Sequence, residues 1–316
     1  MVDGSVIVAT YNHENYIKKA IQGVLMQNFT FEMEVIIADD ASTDNTGIIL
    51  AEMKSSLPNN YKVICREKNI GAAANFEDLV ERAQGRYLII LEGDDYWTDP
   101  NKLQTQYDFL ENNPDYLAIA HNCTVVDENG KYIDYQYPEC KKEDYTFDDF
   151  INGILPGQTT TKMIRNYFKF DILIDRNLDV GSYPGDRKEA FLLTVNGKVY
   201  CMQKTMSAYR LVRTSGSSYS ANYKYNIEVT IYYWLNLFKY CIRNHLSKHI
   251  SSEVGARYFF YLTRSKSKVS FVSKSENKYL FKKMPYKYKI VSLYACRAFR
   301  YITRRISREK GLRNYD

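Results

Sequence analysis

The fold is decided close to the N-terminus, where residues 5–12 read SVIVATYN. The apolar part of this run predicts a short strand that is buried on both faces. It ends in Thr10, Tyr11 and Asn12, whose side chains can bond to a ligand. In an open parallel sheet, ligands bind beyond the carboxyl ends of the strands. The strands that follow test this interpretation, because they should end in polar residues too.

Strand and helix patterns alternate through the residues that come next. Strand patterns occupy 34–39, 61–65 and 87–91, and an amphipathic helical pattern precedes each of them. Strands separated by helices of about ten to fifteen residues predict right-handed βαβ units. The expected fold class is therefore α/β, with a Rossmann-like, mainly parallel central sheet and flanking helices.

The predicted strands do end in polar residues. The second ends in Asp39 and Asp40, the third is followed by Asn69 and Gly71, and the fourth is followed by GDD at 93–95. One such ending is common in folded proteins, but four at the same edge of a sheet are hard to explain by packing. The sequence thus predicts a ligand site at this edge.

The adjacent acids Asp94 and Asp95 are the most informative feature of this edge. Two neighbouring carboxylates repel each other unless a cation or hydrogen-bond donors offset their charge. Their hard oxygen ligands suit Mg²⁺ or Mn²⁺, which take their remaining ligands from water and a substrate diphosphate. The alternative is a turn that caps the helix after Asp99. Asp39 has a similar alternative, because Asp and Ser clusters commonly cap helices.

Three segments together carry a family resemblance: SVIVATYN at 5–12, IIADDASTD at 36–44 and EGDD at 92–95. In this order and spacing they resemble the nucleotide-sugar-dependent inverting glycosyltransferases of family 2. The resemblance covers residues 4–213 and implies the GT-A fold. It also implies transfer of a sugar from a nucleoside diphosphate sugar, with UDP expected, to a hydroxyl on a growing glycan or a lipid-linked saccharide.

The resemblance assigns nucleotide-binding roles to the first two polar endings. Thr10 and Tyr11 would line the base and ribose pocket, and Asn12 would shape the turn. Asp39 would accept the N3–H of uracil, a contact that selects pyrimidine bases.

Further residues of the donor site follow from the same resemblance. Asn69 and Gly71 match another segment of the nucleotide pocket. Asp94 would lie against the ribose or the donor sugar, and Asp95 would bind the Mn²⁺ or Mg²⁺ that bridges the diphosphate. Arg210 matches a Tyr-Arg segment, and the loop beyond that segment closes over the diphosphate in the family.

An inverting transfer also needs a base that deprotonates the acceptor hydroxyl. In the family this carboxylate follows a glycine and begins a helix, which matches Asp186 in GDRKEAFLL at 185–193. Glu189, one helical turn later, is the second choice. From local sequence alone, the alternative is a pattern like a capping box, formed by the same two acids.

Several other positions have two interpretations. The family often has a histidine two residues after the arginine, whereas this chain has Val212 and then Arg213, whose guanidinium is suited to phosphate. The run QTTT at 158–161 either lines an acceptor pocket or forms a threonine-rich strand segment. His121 is either an acceptor contact or a core residue.

Other function classes lack their motifs. The sequence has six scattered cysteines without a C-x-x-C pair, and no G-x-x-x-x-G-K-S/T loop, G-x-S-x-G turn or Rossmann glycine triplet. A sugar-1-phosphate nucleotidyltransferase is an alternative, although residues 11–15 lack the glycine-rich, arginine-containing loop that this class carries after strand one. A second alternative is a non-catalytic nucleotide-binding protein at a membrane surface.

The C-terminal region differs from the rest of the chain in charge. Residues 278–316 hold 12 Lys and Arg against two acids, so the net charge of +6 divides into +10 in this tail and −4 elsewhere. We expect a GT-A domain over 1–222, with its donor half in 1–100 and its acceptor half in 101–222. A helical, Tyr-rich and basic region is expected over 223–316.

Within this tail, residues 286–308 combine the apolar spacing of a helix with many Lys and Arg. Such a helix either lies in an anionic membrane interface or packs on the preceding helices. Nucleic acid is not expected, because no binding motif accompanies the basic residues. The N-terminus lacks signal-peptide features, and no run reaches the roughly 18–20 apolar residues of a membrane span. The expected location is the cytoplasm, either free or on the inner face of the cell membrane.

Overall fold

The computed structural model describes residues 2–170, 172–173, 175, 177–212, 224–265 and 269–296. The chain forms two compact units. The first contains Met1–Arg176 and Glu189–Lys224, and the second contains Asn177–Lys188 and Tyr225–Asp316.

The first unit begins with alternating strands and helices. These are β1 (Gly4–Thr10), α1 (Ile17–Leu25), β2 (Met33–Asp39), α2 (Thr46–Lys54), β3 (Tyr61–Cys65), α3 (Ala72–Arg82) and β4 (Tyr87–Glu92). The four strands run parallel in the order β3-β2-β1-β4. A helix connects each strand to the next, so the predicted βαβ units and the α/β class are confirmed.

The register of these strands brings their carboxyl ends together. Thr10 pairs with Asp39, Asp39 with Cys65, and Ala9 with Glu92. The polar residues that follow the strands therefore start from one edge of the sheet, as the sequence predicts.

The remaining strands extend this sheet in a mixed arrangement. The next elements along the chain are β5 (Tyr96–Trp97), α4 (Lys102–Asn112), β6 (Tyr116–Val126), β7 (Asp144–Tyr145), α5 (Phe147–Ile151), a 3₁₀ turn (Thr159–Thr161), β8 (Met163–Arg165), α6 (Gly185–Asn196) and β9 (Lys198–Arg210). β8 lies antiparallel between β4 and β6, and β9 runs parallel to β6. β5 and β7 both pair antiparallel with β9.

The core of the first unit packs on the parallel strands. β1, β2 and β4 are buried over almost their whole length, which explains why they read as continuous apolar runs. The buried face of α1 consists of Ile17, Ala20, Ile21 and Val24, which recur at helical spacing. Each large apolar side chain contributes about 1.5–3 kcal/mol on burial. The polar edge is therefore supported by a densely packed sheet.

The second unit is helical. It contains α7 (Ile227–Arg243), α8 (Lys248–Arg264) and α9 (Lys274–Lys283), followed by helical residues 288–296. Asn226, Ser247 and Ser273 cap the three helices by accepting from N–H groups of their first turns. A Cβ at Gly255 in α8 would lie 2.9 Å from the Phe238 ring in α7, so glycine permits this close packing. None of the described helices is long and apolar enough to cross a membrane.

Candidate active site

The first polar ending forms a tight turn after β1. Asn12 has a φ of 56°, a left-handed conformation that asparagine adopts more readily than most residues. Its N–H donates to Ser42 Oγ (2.8 Å), and its side-chain oxygen accepts from the Thr43 N–H (2.8 Å). Asn12 thus ties the loop after β1 to the loop after β2. Thr10 is buried at the end of β1, and Tyr11 is half-buried.

Asp39 ends β2 as a buried carboxylate. Ser42 holds it from the following loop: the Ser42 hydroxyl donates to Oδ1, and the Ser42 N–H lies 3.4 Å from Oδ2. A carboxylate has lone pairs for about four hydrogen bonds. This arrangement therefore leaves Asp39 with acceptor capacity for an N–H group of a ligand.

Asn69 and Gly71 are held by Asp40, a residue to which sequence reasoning assigned no role. The buried Asp40 carboxylate accepts from the N–H groups of Ile70 and Gly71, both at 2.9 Å. Asn69 Nδ2 donates to the Asp40 carbonyl oxygen (2.9 Å). Gly71 has a φ of 89° immediately before α3, a conformation that favours glycine. The sequence did contain one signal for this role. Asp40 directly follows a buried strand, where a carboxylate has few water contacts and needs hydrogen-bond donors from the protein.

Asp95 is enclosed by hydrogen-bond donors. It is 1% exposed, and its Oδ2 accepts from Gln158 Nε2 (2.9 Å) and Thr160 Oγ1 (2.8 Å). Its Oδ1 accepts from the backbone N–H of Arg210 (2.7 Å). Burial raises the pKa of Asp95 well above its ordinary value, and two neighbouring carboxylates raise it further.

Asp94 is the more accessible acid of the pair, with 19% of its side chain exposed. His13 Nε2 lies 4.0 Å from Asp94 Oδ2, and His13 Nδ1 lies 3.1 Å from Thr10 Oγ1. Gly93 permits this approach, because a Cβ there would lie 2.6 Å from Thr10 Oγ1 and 2.8 Å from His13 Nδ1. The loop at 93–95, here called the acidic loop, therefore lies against the turn after β1.

Arg210 ends β9, and backbone carbonyl groups bind its side chain. Arg210 Nε donates to the Asp94 carbonyl oxygen (2.9 Å). Arg210 Nη1 donates to the carbonyl oxygens of Asp127 (2.9 Å) and Glu128 (3.0 Å). The guanidinium also lies over the Tyr16 ring at 4.3 Å. Arg210 thus joins the acidic loop to the loop after β6.

The two carboxylates predicted near the start of α6 have different surroundings. Asp186 belongs to the second unit, and its Oδ1 is buried without a hydrogen-bond partner among the described residues. Glu189 belongs to the first unit, where it forms an ion pair with the buried Lys162.

The remaining sequence candidates also have defined surroundings. Gln158 and Thr160 contact Asp95, as described above. His121 is buried, and this burial lowers its pKa well below the ordinary value. Val212 is buried as well, and Arg213 lies outside the described residues.

The acidic loop has the chemistry to bind Mg²⁺ or Mn²⁺. Within the described ranges, no three or more His, Cys, Asp or Glu side chains are grouped so that they could hold a metal by themselves. Mg²⁺ is usually bound by one or two carboxylates, with water and substrate phosphates as its other ligands. The partly exposed Asp94 fits such a site, whereas both oxygens of Asp95 already accept from the protein.

Known sequences match the segment that carries this site. The sequence model of Glycosyl transferase family 2 matches residues 5–171, more than half of the chain. An uncharacterised protein of Mycobacterium bovis is 35% identical over 209 residues, which are 65% of this chain but only 58% of that relative. TuaG of Bacillus subtilis, named as a glycosyltransferase of teichuronic acid biosynthesis, is 31% identical over 222 residues, 68% of this chain and 81% of its own.

A solved structure has the same fold. TarS 1–349 of Staphylococcus aureus, in complex with UDP-GlcNAc, matches with a TM-score of 0.62 at 20% identity, over 89% of this chain and 79% of that chain. At this identity the likeness shows the fold alone. The family match spans β1 to β8, and it confirms the resemblance carried by the three sequence segments. The chain belongs to Glycosyl transferase family 2.

Proposed function

We propose that this protein is an inverting, metal-dependent glycosyltransferase that moves a sugar from a UDP-sugar to a hydroxyl of a growing glycan or a lipid-linked saccharide. The observation that carries the proposal is the convergence of polar loops, with Asn12, Asp39, Asn69 and Asp94, at one edge of a parallel sheet. Family membership supports the reaction class. The UDP-GlcNAc bound to TarS and the name of TuaG support the donor and the type of product.

The loops after β1, β2 and β3 bind the nucleotide in this proposal. Asp39 accepts the uracil N3–H, because its bonds to Ser42 leave part of its acceptor capacity unused. Thr10 and Tyr11 line the base and ribose at the end of β1. The loop after β3, which Asp40 holds in place, contributes to the same pocket.

Asp94 takes the metal-ligand role in this proposal. Sequence reasoning assigns that role to Asp95, but the hydrogen bonds of Asp95 favour a supporting role instead. Asp94 is partly exposed, whereas Asp95 accepts from two side chains and from the Arg210 N–H. A bound Mg²⁺ or Mn²⁺ supplies positive charge that stabilises the departing diphosphate.

Asp186 is the proposed base. Its Oδ1 has no hydrogen-bond partner among the described residues, which leaves this atom able to take a proton. The acceptor hydroxyl gives its proton to Asp186 while its oxygen bonds to the anomeric carbon. The bond from that carbon to the diphosphate breaks at the same time, and the configuration inverts. Glu189 is the poorer base because it is paired with Lys162.

We further propose that the C-terminal helices hold the protein at an anionic membrane surface on the cytoplasmic side. α9 and residues 288–296 expose aromatic, apolar and basic side chains: Tyr279, Phe281, Tyr288 and Val291 with Lys278, Lys282 and Lys283. Aromatic residues favour the membrane interface, and each lysine near an anionic surface contributes about 1 kcal/mol. Residues 297–308, the rest of the predicted basic helix, lie outside the described residues.

Donor binding and turnover test the proposed reaction. Thermal unfolding is measured with UDP-, dTDP- and GDP-sugars, with and without Mn²⁺, because a bound ligand stabilises the folded state. We expect stabilisation by UDP-sugars that depends on Mn²⁺, and slow hydrolysis that releases a sugar of inverted anomeric configuration. Absence of stabilisation by every nucleotide sugar would overturn the proposal. Release of pyrophosphate from UTP and a sugar-1-phosphate would favour the nucleotidyltransferase instead.

A further inference from the structure

A buried polar turn lies beside the acidic loop. This polar turn, residues 157–161, contains Gly157, Gln158 and the 3₁₀ residues Thr159–Thr161. Gln158, Thr160 and Thr161 are at most 2% exposed, although Gln and Thr are mostly surface residues. Gly157 permits the tight turn, because a Cβ there would lie 2.4 Å from Thr161 Oγ1. Such a buried polar cluster requires hydrogen-bond partners. One set of partners is the carboxylates after β4, and the other is side chains of β5 and α4.

One set of bonds reaches the carboxylates after β4. Gln158 Nε2 lies 2.9 Å from both Glu92 Oε2 and Asp95 Oδ2, and Thr160 Oγ1 donates to Asp95 Oδ2 (2.8 Å). Gln158 Oε1 accepts from the Thr160 N–H (2.7 Å), which directs the amide nitrogen toward the two acids. The polar turn thus places donors between carboxylates that would otherwise repel each other.

The other set of bonds fixes the polar turn to the core. Trp97 Nε1 donates to the Thr160 carbonyl oxygen (3.0 Å), and Gln106 Nε2 donates to that of Thr161 (2.8 Å). Lys102, which is fully buried, donates to Gln106 Oε1 (2.7 Å) and so orients that amide. The polar turn is therefore attached to β5 and α4.

We infer that Gln158 and Thr160 are positioning residues of the donor site. Asp95 is held between the polar turn on one oxygen and the Arg210 N–H on the other. Arg210 in turn binds the carbonyl of Asp94, so the acidic loop is fixed at both of its aspartates. This inference rests on the proposed function, in which Asp94 binds the metal. Gln158 and Thr160 act through Asp95 and do not contact the donor.

Conservative substitutions distinguish a positioning role of Thr160 from a general contribution to protein stability. Thr160→Val removes the hydroxyl that donates to Asp95 and keeps the side-chain shape, and Thr160→Ser restores a hydroxyl. Thr159→Val is the matched control, because Thr159 is half-buried in the same turn and its hydroxyl has no bond to Asp95 among the described contacts. Calorimetry measures the binding of UDP with Mn²⁺. Hydrogen exchange is measured separately, without ligand, in peptides covering 93–97 and 208–212.

Thr160→Val should differ from the other two variants in both measurements. Thr160→Val leaves a buried oxygen of Asp95 short of one donor and so loosens the acidic loop, and we expect UDP–Mn²⁺ binding to weaken by about tenfold to a hundredfold. Both peptides should exchange about tenfold faster without ligand. Thr160→Ser and Thr159→Val should behave like wild type. Equal behaviour of Thr160→Val and Thr159→Val in both measurements overturns the inference. If wild type does not bind UDP while Thr160→Val still accelerates exchange, the positioning role stands and the proposed function fails.

Discussion

Arg210 donates its backbone N–H to Asp95 Oδ1 across 2.7 Å, although 115 positions separate the two residues in the chain. This bond joins the end of β9 to the acidic loop, where Asp95 is almost fully buried. The adjacent Asp94 keeps part of its side chain exposed. Two neighbouring acids that look equivalent in the sequence should therefore respond differently to replacement.

The first prediction contrasts these two acids. Asp95→Ala leaves the Thr160 hydroxyl and the Arg210 N–H without an acceptor, whereas Gln158 Nε2 keeps its contact with Glu92. An unsatisfied buried group costs about 1–3 kcal/mol, so we expect the free energy of unfolding to fall by about 2–4 kcal/mol. Asp94→Ala should change it by less than about 1 kcal/mol, since it removes a partly exposed side chain. Asp94→Ala should nevertheless abolish Mn²⁺-dependent UDP binding. Urea unfolding and calorimetry measure the two effects, and equal destabilisation by both variants contradicts the assignment.

The second prediction concerns the proposed base. Asp186→Asn keeps the size of the side chain but removes its capacity to take the proton. We expect UDP affinity to stay unchanged while sugar transfer slows by about 10²–10⁴-fold, the usual effect of a lost general base. Steady-state kinetics with the identified donor measures the loss. A variant that transfers sugar at the wild-type rate shows that another carboxylate is the base.

The third prediction gives Glu189 a structural role. Glu189→Gln breaks an ion pair whose partner, Lys162, is buried at 1% exposure. Removing one partner of a buried pair leaves an uncompensated charge and costs about 3–5 kcal/mol. We expect the free energy of unfolding, measured with a chemical denaturant, to fall by that amount. The folded enzyme should still transfer sugar at close to the wild-type rate. A loss of transfer of the Asp186→Asn size, without destabilisation, would instead make Glu189 the base.

The fourth prediction uses Glu34, at the amino end of the sheet. Burial alone raises the pKa of Glu34, but bonds from the Gln84 N–H, Lys62 and Ser5 outweigh burial and lower that pKa below its ordinary value of 4.5. A lowered folded-state pKa contributes stability above pH 4.5, and this stability is lost as the pH falls through the folded-state pKa. Glu34→Gln should therefore destabilise the protein at pH 7 and progressively less in acid. A pH-independent difference between the unfolding free energies of the two proteins contradicts this.

The polar edge of the sheet was predictable because its signals are local. Thr10, Asp39 and Asp94 each follow a short apolar run, and the βαβ pattern aligns the ends of those runs. The support of Asp95 was not predictable, since Gln158 and Thr160 lie 63 and 65 positions away. Their contact depends on β8 running antiparallel beside β4, a pairing that no sequence period encodes. For the same reason, the sequence alone did not distinguish an acceptor pocket from a threonine-rich strand segment at QTTT, residues 158–161.

The fifth prediction concerns the exposed basic residues of α9. Replacing Lys278, Lys282 and Lys283 together by Gln removes three charges while keeping the side chains polar. Each lysine contributes about 1 kcal/mol at an anionic surface, so binding to phosphatidylglycerol vesicles should weaken by about a hundredfold at low salt. The matched control replaces Lys18, Lys54 and Lys204, which are also exposed but belong to the first unit.

Co-sedimentation of the full chain with vesicles measures this binding. We expect wild type and the control variant to pellet with anionic vesicles at low salt and to stay in solution at high salt, because salt screens exposed charges. Vesicles of phosphatidylcholine alone should retain little protein, since they lack the negative surface potential that attracts the lysines. Equal pelleting of the α9 variant and wild type would assign the contact to another surface. If no protein pellets with anionic vesicles, the exposed aromatic and basic side chains of α9 do not bind a membrane.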